Sequence, residues 1–134
     1  MKNFEALGLS SPVLKALGEM GFENPTEIQS QTIPLLTSKP SDFIGLAQTG
    51  TGKTAAFGLP LIELIDVEDR NTQALILAPT RELAQQIGKQ LEDFSRHLGK
   101  LNVVCVFGGA SITNQIRDIR RGAQVIVATP GRLV

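Results

Sequence analysis

The sequence predicts an α/β fold, a doubly wound and mainly parallel sheet with flanking helices. Four short apolar runs are rich in Val, Ile and Leu and lack clean alternation, which is typical of strands buried on both faces. They are Phe43–Ala47, Ala74–Ala78, Val103–Phe107 and Val125–Ala128. Helical patterns lie between these runs. Strands that alternate with helices favour a parallel sheet whose ligands bind at the carboxyl ends of the strands.

The clearest helical pattern is Thr80–Leu98, where apolar residues recur at steps of three and four along one face. They are Leu83, Ile87, Leu91, Phe94 and Leu98. Three further helices are predicted, with their start signals in the sequence: one opening at Ser10 or Ser11 with Pro12, one over Thr26–Leu36, and one from a Ser111 cap to near Gly122 with a stripe of Ile112, Ile116 and Ile119.

Composition narrows the class of protein. The 134 residues are 42% hydrophobic, and 13 basic side chains balance 13 acidic ones. Because a disordered charged tail needs excess charge and few apolar residues, we expect one compact domain over residues 1–134. The single Cys105 excludes an intramolecular disulfide and a Cys-rich metal site, which fits the cytoplasm. No apolar run reaches the ~18 residues of a membrane span and no leader pattern is present, so we expect no membrane association.

A glycine-rich segment follows the first predicted strand. It matches the P-loop pattern with Ala at its first position: Ala47, Gln48, Thr49, Gly50, Thr51, Gly52, Lys53 and Thr54. The glycines let backbone N–H groups point at phosphate oxygens, Lys53 reaches the β and γ phosphates, and the Thr54 hydroxyl binds Mg²⁺. An apolar helix should follow from Ala55 to about Ile65, bent at Pro60. The alternative is a Gly/Thr-rich connection without a ligand.

Upstream of this loop, the segment Gly21–Gln29 resembles the Q motif of DEAD-box RNA helicases, with Phe4 as the isolated aromatic of that family. The Gln29 amide can donate to N7 and accept from N6 of adenine, a match that guanine inverts. Phe22 is expected to stack on the base, and Thr26 to hydrogen-bond near the phosphate loop. Taken alone, Gln29 reads as a surface residue of an amphipathic helix.

Three downstream segments resemble further motifs of the same family. Pro79–Ala84 is similar to motif Ia, the pair Gly108 and Gly109 to the GG motif, and Thr129–Arg132 to motif Ib. Each follows a predicted strand. Arginines and helix starts hold phosphates, and paired glycines let a nucleic-acid backbone come close. Singly, each segment also reads as a helix cap or a turn.

The resemblance implies a RecA-like P-loop NTPase lobe that binds ATP with Mg²⁺ and RNA, and that works with a second RecA-like lobe to separate short RNA duplexes. Bacterial members look nearest. ATP would be held by Phe22, Thr26, Gln29 and Ala47–Thr54, with Lys53 and Thr54 as the catalytic residues. The RNA backbone would be held, without reading of base sequence, by Pro79, Thr80, Arg81, Gly108, Gly109, Thr129, Pro130, Gly131 and Arg132.

The 134 residues contain no Asp-Glu-Ala-Asp segment. Leu61–Asp66 ends an apolar run in an acid, but it continues the P-loop helix, and its acids are expected to face solvent. We therefore expect the chain to be the N-terminal portion of a lobe and to be inactive alone, because the carboxylates that would hold the Mg²⁺ shell and orient water are those of the missing segment. Two alternatives remain: a P-loop NTPase that does not act on nucleic acid, and a non-catalytic binding module.

The neutral total conceals an asymmetry along the chain. Residues 1–69 hold 4 basic and 9 acidic side chains, whereas residues 70–134 hold 9 basic and 4 acidic ones. The basic half carries all three segments that resemble RNA-binding motifs, as a phosphate-binding face requires. His97 and Cys105 are expected to pack rather than to react.

Overall fold

The computed structural model describes residues 3–39, 41–48, 52–109 and 111–133. Their contacts form two compact units, Met1–Leu64 with Asp93–His97, and Ile65–Glu92 with Leu98–Val134. The single domain expected from composition stays a prediction.

The first unit is helical. A 3-10 helix, Phe4–Leu7, precedes α1 (Ser11–Glu19), α2 (Glu27–Ser38) and α3 (Lys53–Leu64). The sequence signals explain the helix starts: Pro12 lies in the first turn of α1, and Thr26 caps α2 with a capping box completed by Gln29. Helices α2 and α3 pack on each other. Both run through an internal proline, Pro34 and Pro60.

The prediction that Glu63 faces solvent is wrong. Its Oε1 accepts hydrogen bonds from the backbone N–H of Ser10, at 2.8 Å, and from the Ser10 hydroxyl, at 2.9 Å. Ser10 is the N-cap residue of α1, and its side chain makes no cap bond within that helix. A carboxylate from α3 therefore occupies the end of α1 where the helix dipole favours negative charge.

The predicted first strand, Phe43–Ala47, is also wrong. Residues 41–48 contain no strand, and Ile44 and Leu46 are 87% and 89% exposed. A strand requires a neighbouring strand for its backbone hydrogen bonds. The sheet within the described residues does not include this segment. Apolar composition alone could not supply that neighbour.

The second unit contains the sheet. Its elements are β1 (Ala74–Leu77), α4 (Arg81–Phe94, whose last residues from Asp93 belong to the first unit), β2 (Val103–Val106), α5 (Ile112–Arg120), β3 (Val125–Ala128) and α6 (Pro130–Leu133). The strands are parallel in the order β1-β3-β2. Leu77 and Val106 both lie beside Ala128. The α/β fold with a parallel sheet and flanking helices is thus confirmed, and the three predicted strand positions hold to within a residue.

Two apolar stripes differ from prediction. In α4, Ile87, Leu91 and Phe94 are buried, but Leu83 is 37% exposed, and the helix ends before Leu98. In α5, Ser111 caps the helix as predicted. However, Ile112 and Ile116 are 55% and 44% exposed, while the buried residue is Gln115. The helix is turned so that the polar side chain of Gln115 faces inward.

Gln124 fixes the other end of the sheet. It is 1% exposed, and its Oε1 accepts from the Asn102 N–H at 2.8 Å. Its Nε2 donates to the carbonyls of Lys100 and Val67, at 3.0 and 3.3 Å. One amide thus links the start of β3 to the segments before β1 and β2. Within the described residues, no helix has the length and apolar character needed to cross a bilayer.

Candidate nucleotide and nucleic-acid sites

In the first unit, Gln29 joins the segment Gly21–Gln29 to the end of the glycine-rich loop. Gln29 is 2% exposed. Its Oε1 accepts from the Thr26 N–H at 2.9 Å, and its Nε2 donates to the Gly52 carbonyl at 3.2 Å. A Cβ on Gly52 would lie 2.2 Å from Nε2, and the Gly52 φ angle is +84°. Only glycine fits this position.

The Gln29 amide retains capacity for a ligand. A primary amide carries two N–H donors and two acceptor lone pairs. Thr26 and Gly52 use one of each. One donor and one acceptor remain, which is the pair that an adenine edge requires. The surface reading of Gln29 is wrong, and its predicted selection of adenine stays a prediction.

Phe22 belongs to an aromatic cluster. Its ring meets Phe4 with centroids 6.0 Å apart and Phe94 with centroids 5.7 Å apart, both edge-to-face. Phe22 is half-buried, whereas Phe4 and Phe94 are buried. The isolated aromatic at Phe4 therefore contacts the aromatic of the Gln29 segment. Stacking of Phe22 on a base stays a prediction.

The glycine-rich loop is described in part. Thr49, Gly50 and Thr51 lie outside the described residues, while Ala47 and Gln48 precede them and Gly52 follows. Lys53 is the first residue of α3 and is exposed, and Thr54 is half-buried. Lys53 also borders a cavity of about 270 Å³. An exposed lysine and a hydroxyl at a helix start fit a phosphate with its Mg²⁺. No cluster of three acidic, His or Cys side chains that could hold a metal occurs among the residues the structure describes.

In the second unit, three predicted segments leave the same edge of the sheet. The Ala78 N–H donates to the Ala128 carbonyl and the Thr129 N–H to the Val106 carbonyl, both at 2.9 Å. These bonds continue the strand pairing by one residue. The carboxyl ends of the three strands are therefore level, and the segments after them begin side by side.

Arg81 contacts the segment that follows β2. Its guanidinium carbon lies 4.8 Å from the ring centroid of Phe107. Gly109 has a φ angle of +84°, and a Cβ there would be 3.0 Å from Arg81 Nη1. The Thr80 hydroxyl accepts from the Leu83 N–H at 3.2 Å, so Thr80 acts as a helix cap. Arg81 itself is exposed at the first turn of α4.

Gln115 connects the segment that follows β2 with the segment that follows β3. Its Nε2 donates to the Phe107 carbonyl at 3.0 Å, and its Oε1 accepts from Arg132 Nη1 at 3.2 Å. This arrangement explains why α5 buries a glutamine and exposes its isoleucines. Of the other predicted contact residues, Thr129 is half-buried and the rest are exposed: Pro79, Gly108, Pro130 and Gly131.

Sequence reasoning missed Phe107 and Gln115. Phe107 was assigned to the predicted strand Val103–Phe107, which ends one residue earlier. Gln115 lies on the polar side of the stripe that defined α5. An aromatic immediately before Gly108–Gly109 was a usable sign. A glutamine within a helix carries no comparable sign, because glutamine is common on solvent-facing helix surfaces.

Cys105 lies outside both sites. Its Sγ donates to the Ala84 carbonyl at 3.6 Å. Burial raises the pKa of the Cys105 thiol, with a smaller effect from the negative charge of Glu92. The thiol is therefore held in its unreactive protonated form, in agreement with the packing role expected for it.

Comparison with known proteins decides the family. The model of the DEAD/DEAH box helicase family matches residues 26–134. The chain belongs to the DEAD/DEAH box helicase family. It is 49% identical over 131 residues to the ATP-dependent RNA helicase DeaD of Escherichia coli K12 and, equally, to DeaD of Mycobacterium tuberculosis. These matches cover 98% of the chain, which spans only 21% and 23% of those two helicases.

Solved helicase structures share the fold. A DEAD box protein from Methanococcus jannaschii superposes with a TM-score of 0.91 at 40% identity, over 98% of this chain and 35% of that one. The RNA helicase Prp28 from Chaetomium thermophilum, bound to ADP, gives a TM-score of 0.88 at 45% identity, over 99% of this chain and 33% of that one. The Dbp5 protein of S. cerevisiae, bound to RNA and ADP BeF3, gives 0.88 at 38% identity, with the same coverage. The α/β fold is therefore that of RecA-like helicase domains.

Proposed function

We propose that this chain is the ATP- and RNA-binding part of an ATP-dependent RNA helicase, in which ATP hydrolysis is coupled to local separation of RNA duplexes. A second RecA-like lobe completes the working protein, and the cytoplasm is its expected location. The observation that carries the proposal is the edge of the second unit. There, Arg81, Gly109 and Arg132 leave three adjacent strands and are connected through Phe107 and Gln115.

The chemistry of that edge suits an RNA backbone. Two arginines supply planar donors that match phosphate oxygens. Gly108 and Gly109 lack side chains, so a sugar-phosphate chain can approach the main chain closely. Phosphate and sugar contacts carry no base sequence. The RNA preference of this part should therefore be weak and its affinity salt-dependent.

The nucleotide proposal rests on the first unit. Gln29 recognises the adenine edge with its remaining donor and acceptor, and Phe22 covers the base. Lys53 binds the β and γ phosphates, and Thr54 contributes its hydroxyl to Mg²⁺. Bound Mg²⁺ supplies neutralisation of the phosphate charge during transfer. The Gln29–Gly52 bond supports this assignment, because the side chain proposed to read the base is hydrogen-bonded to the end of the glycine-rich loop.

We further propose that the 134 residues alone do not hydrolyse ATP. Their sequence offers no Asp-Glu-Ala-Asp segment to position Mg²⁺ and water. An arginine from a second lobe contributes roughly 10³- to 10⁵-fold in rate in related phosphoryl transfer. RNA-stimulated ATP hydrolysis by this polypeptide would contradict the proposal.

RNA binding is tested by fluorescence anisotropy with a labelled single-stranded uridine oligonucleotide at several salt concentrations. Arg81→Ala and Arg132→Ala should each weaken binding, and each should reduce the slope of log K against log salt by about 0.7. Lys100→Ala is the matched control, because Lys100 lies before β2, at the opposite end of that strand, and pairs with Glu68 at 3.0 Å. Equal effects of all three substitutions would indicate that only net charge matters.

Nucleotide binding is tested by titration with ATP and GTP. Gln29→Ala should lower the ratio of ATP to GTP affinity, since adenine loses its specific partner. Lys53→Ala should weaken both nucleotides equally and leave the far-UV circular dichroism unchanged, because Lys53 is exposed. An unchanged ratio in Gln29→Ala would mean that the amide serves only to hold Thr26 and Gly52.

A further inference from the structure

Gln115 is the inward-facing residue of α5 and is 7% exposed, although two isoleucines of the same helix are exposed. Burial of an amide is costly unless both of its ends are hydrogen-bonded. Both ends of Gln115 have partners, at 3.0 Å and 3.2 Å. The helix has therefore been oriented around an amide and not around its apolar stripe.

The partners of Gln115 belong to two of the segments in the proposed RNA site. The carbonyl of Phe107 immediately precedes Gly108 and Gly109, so the bond from Gln115 Nε2 fixes the start of that loop. Arg132 Nη1 donates to Gln115 Oε1, so the same side chain holds the guanidinium that follows β3. The distance between these segments along the chain is about 25 residues, and Gln115 joins them directly.

Phe107 extends the connection to the third segment. Its ring lies beneath the Arg81 guanidinium at 4.8 Å, a distance at which a cation is attracted to an aromatic face. Displacement of Phe107 would therefore also displace Arg81. Gln115 and Phe107 together connect both arginines to one loop.

We propose that Gln115 is a positioning residue for RNA-backbone recognition, fixing Arg132 and the Phe107–Gly109 loop in the geometry that binds consecutive phosphates. This inference rests on the proposed RNA-binding function. Gln115 does not itself contact RNA. It acts by removing the rotamer freedom of a long arginine side chain before the ligand arrives, so that less entropy is lost on binding.

The test uses the uridine oligonucleotide titration with Gln115→Met, Arg132→Ala and the double variant. Methionine has nearly the length of glutamine but neither donor nor acceptor. One lost hydrogen bond to a charged group should weaken RNA binding about tenfold. In the Gln115→Met background, Arg132→Ala should cost less than in the original chain, because the guanidinium has already lost its hydrogen bond to Gln115. Gln86→Met, at an exposed glutamine of α4, is the control and should leave the affinity unchanged.

Gln115→Glu separates the two bonds and guards against misfolding of the methionine variant. A carboxylate keeps the acceptor for Arg132 and loses the donor to the Phe107 carbonyl. Gln115→Glu should still show a non-additive effect with Arg132→Ala. Its RNA affinity should fall through the lost bond to the Phe107 carbonyl and through the new negative charge, which pairs with the Arg132 guanidinium. Additive effects of Gln115→Met and Arg132→Ala, or unchanged affinity in Gln115→Met, would overturn the proposal.

A second readout does not depend on RNA. The side-chain Nε–Hε resonance of Arg132, assigned by its loss in Arg132→Ala, should shift in Gln115→Met and remain in place in Gln86→Met. If the chain fails to bind the oligonucleotide at all, the proposed function fails at this site. The positioning role in RNA recognition then fails with it, and the resonance decides only whether Gln115 holds the Arg132 side chain. If the chain does bind the oligonucleotide, an unchanged Arg132 resonance in Gln115→Met overturns the positioning proposal.

Discussion

Gly88→Ala should destabilise the second unit, and Cys105→Ala should reverse the effect. Gly88 is buried in α4, and a Cβ there would clash with Cys105 Sγ of β2, at 2.4 Å. An atom cannot remain that close. The thiol must leave its position at the Ala84 carbonyl or the helix must move from β2.

The sign follows from two opposing terms. Insertion of a methyl group into a packed interface costs about 2 kcal/mol. Replacement of glycine by alanine within a helix returns about 1 kcal/mol. Gly88→Ala should therefore lower the free energy of unfolding by about 1 kcal/mol. When Cys105→Ala has removed Sγ, only the gain in helix propensity remains, and Gly88→Ala should raise the free energy of unfolding by about 1 kcal/mol.

Urea unfolding followed by far-UV circular dichroism measures both terms, since the chain has no Trp or Tyr for fluorescence. The coupling between the two substitutions should be about 2 kcal/mol, well above the error for independent sites. Gly18→Ala is the control, because a Cβ at Gly18 in α1 meets nothing within 4 Å. It should be stabilising in both backgrounds. A stabilising Gly88→Ala in the original chain would refute the steric reasoning.

Four further substitutions test buried and paired polar groups. Within the described residues the Thr32 hydroxyl is buried without a hydrogen-bond partner, so Thr32→Val should raise the free energy of unfolding in urea by ~1 kcal/mol. Thr37→Val is the contrast: it loses a 2.8 Å hydrogen bond to the Ile33 carbonyl and should lower the free energy of unfolding by ~1 kcal/mol. Gln124→Leu should lower the free energy of unfolding by roughly 3 kcal/mol, because it leaves the Asn102 N–H and the carbonyls of Val67 and Lys100 without their hydrogen-bond partner. The hydrogen bond with His97 lowers the pKa of Glu19 from 4.5, so the ionised Glu19 stabilises the folded chain above pH 4.5, and this stabilisation is lost as the pH falls through the lowered pKa. Glu19→Gln should remove this loss of stability at acid pH, as measured by thermal melts at a series of pH values from 4.5 downward.

The sequence predicted whatever depends on short-range patterns. Ser111 caps α5 as predicted, the helix predicted from Thr26 begins one residue later at Glu27, and β3 occupies the predicted Val125–Ala128. Local capping chemistry and a fully buried apolar run are readable because the cause lies within a few residues. The glycines at 52 and 109 were assigned for the same reason, and both have positive φ angles.

The misses have long-range causes. The run Phe43–Ala47 has a strand composition, but pairing depends on a neighbour elsewhere in the chain. The inward turn of α5 depends on Arg132, 17 residues after Gln115. Glu63 reaches Ser10 across 53 residues. The periodicity of the sequence specifies none of these partners. It indicates which face of a helix or strand is apolar, but not which polar group of another element lies against it.

The charge asymmetry of the sequence shrinks when residues are assigned to the compact units. Ile65–Glu92 with Leu98–Val134 holds 8 basic and 6 acidic side chains, and the remainder holds 5 and 7. A difference of ten charges between the halves thus becomes a difference of four between the units, because Asp66, Glu68 and Asp69 belong with the sheet. Net charge is then a weak argument for RNA. The stronger one is local: Arg81 and Arg132 lie at the ends of adjacent strands, and the chain buries a glutamine to hold one of them.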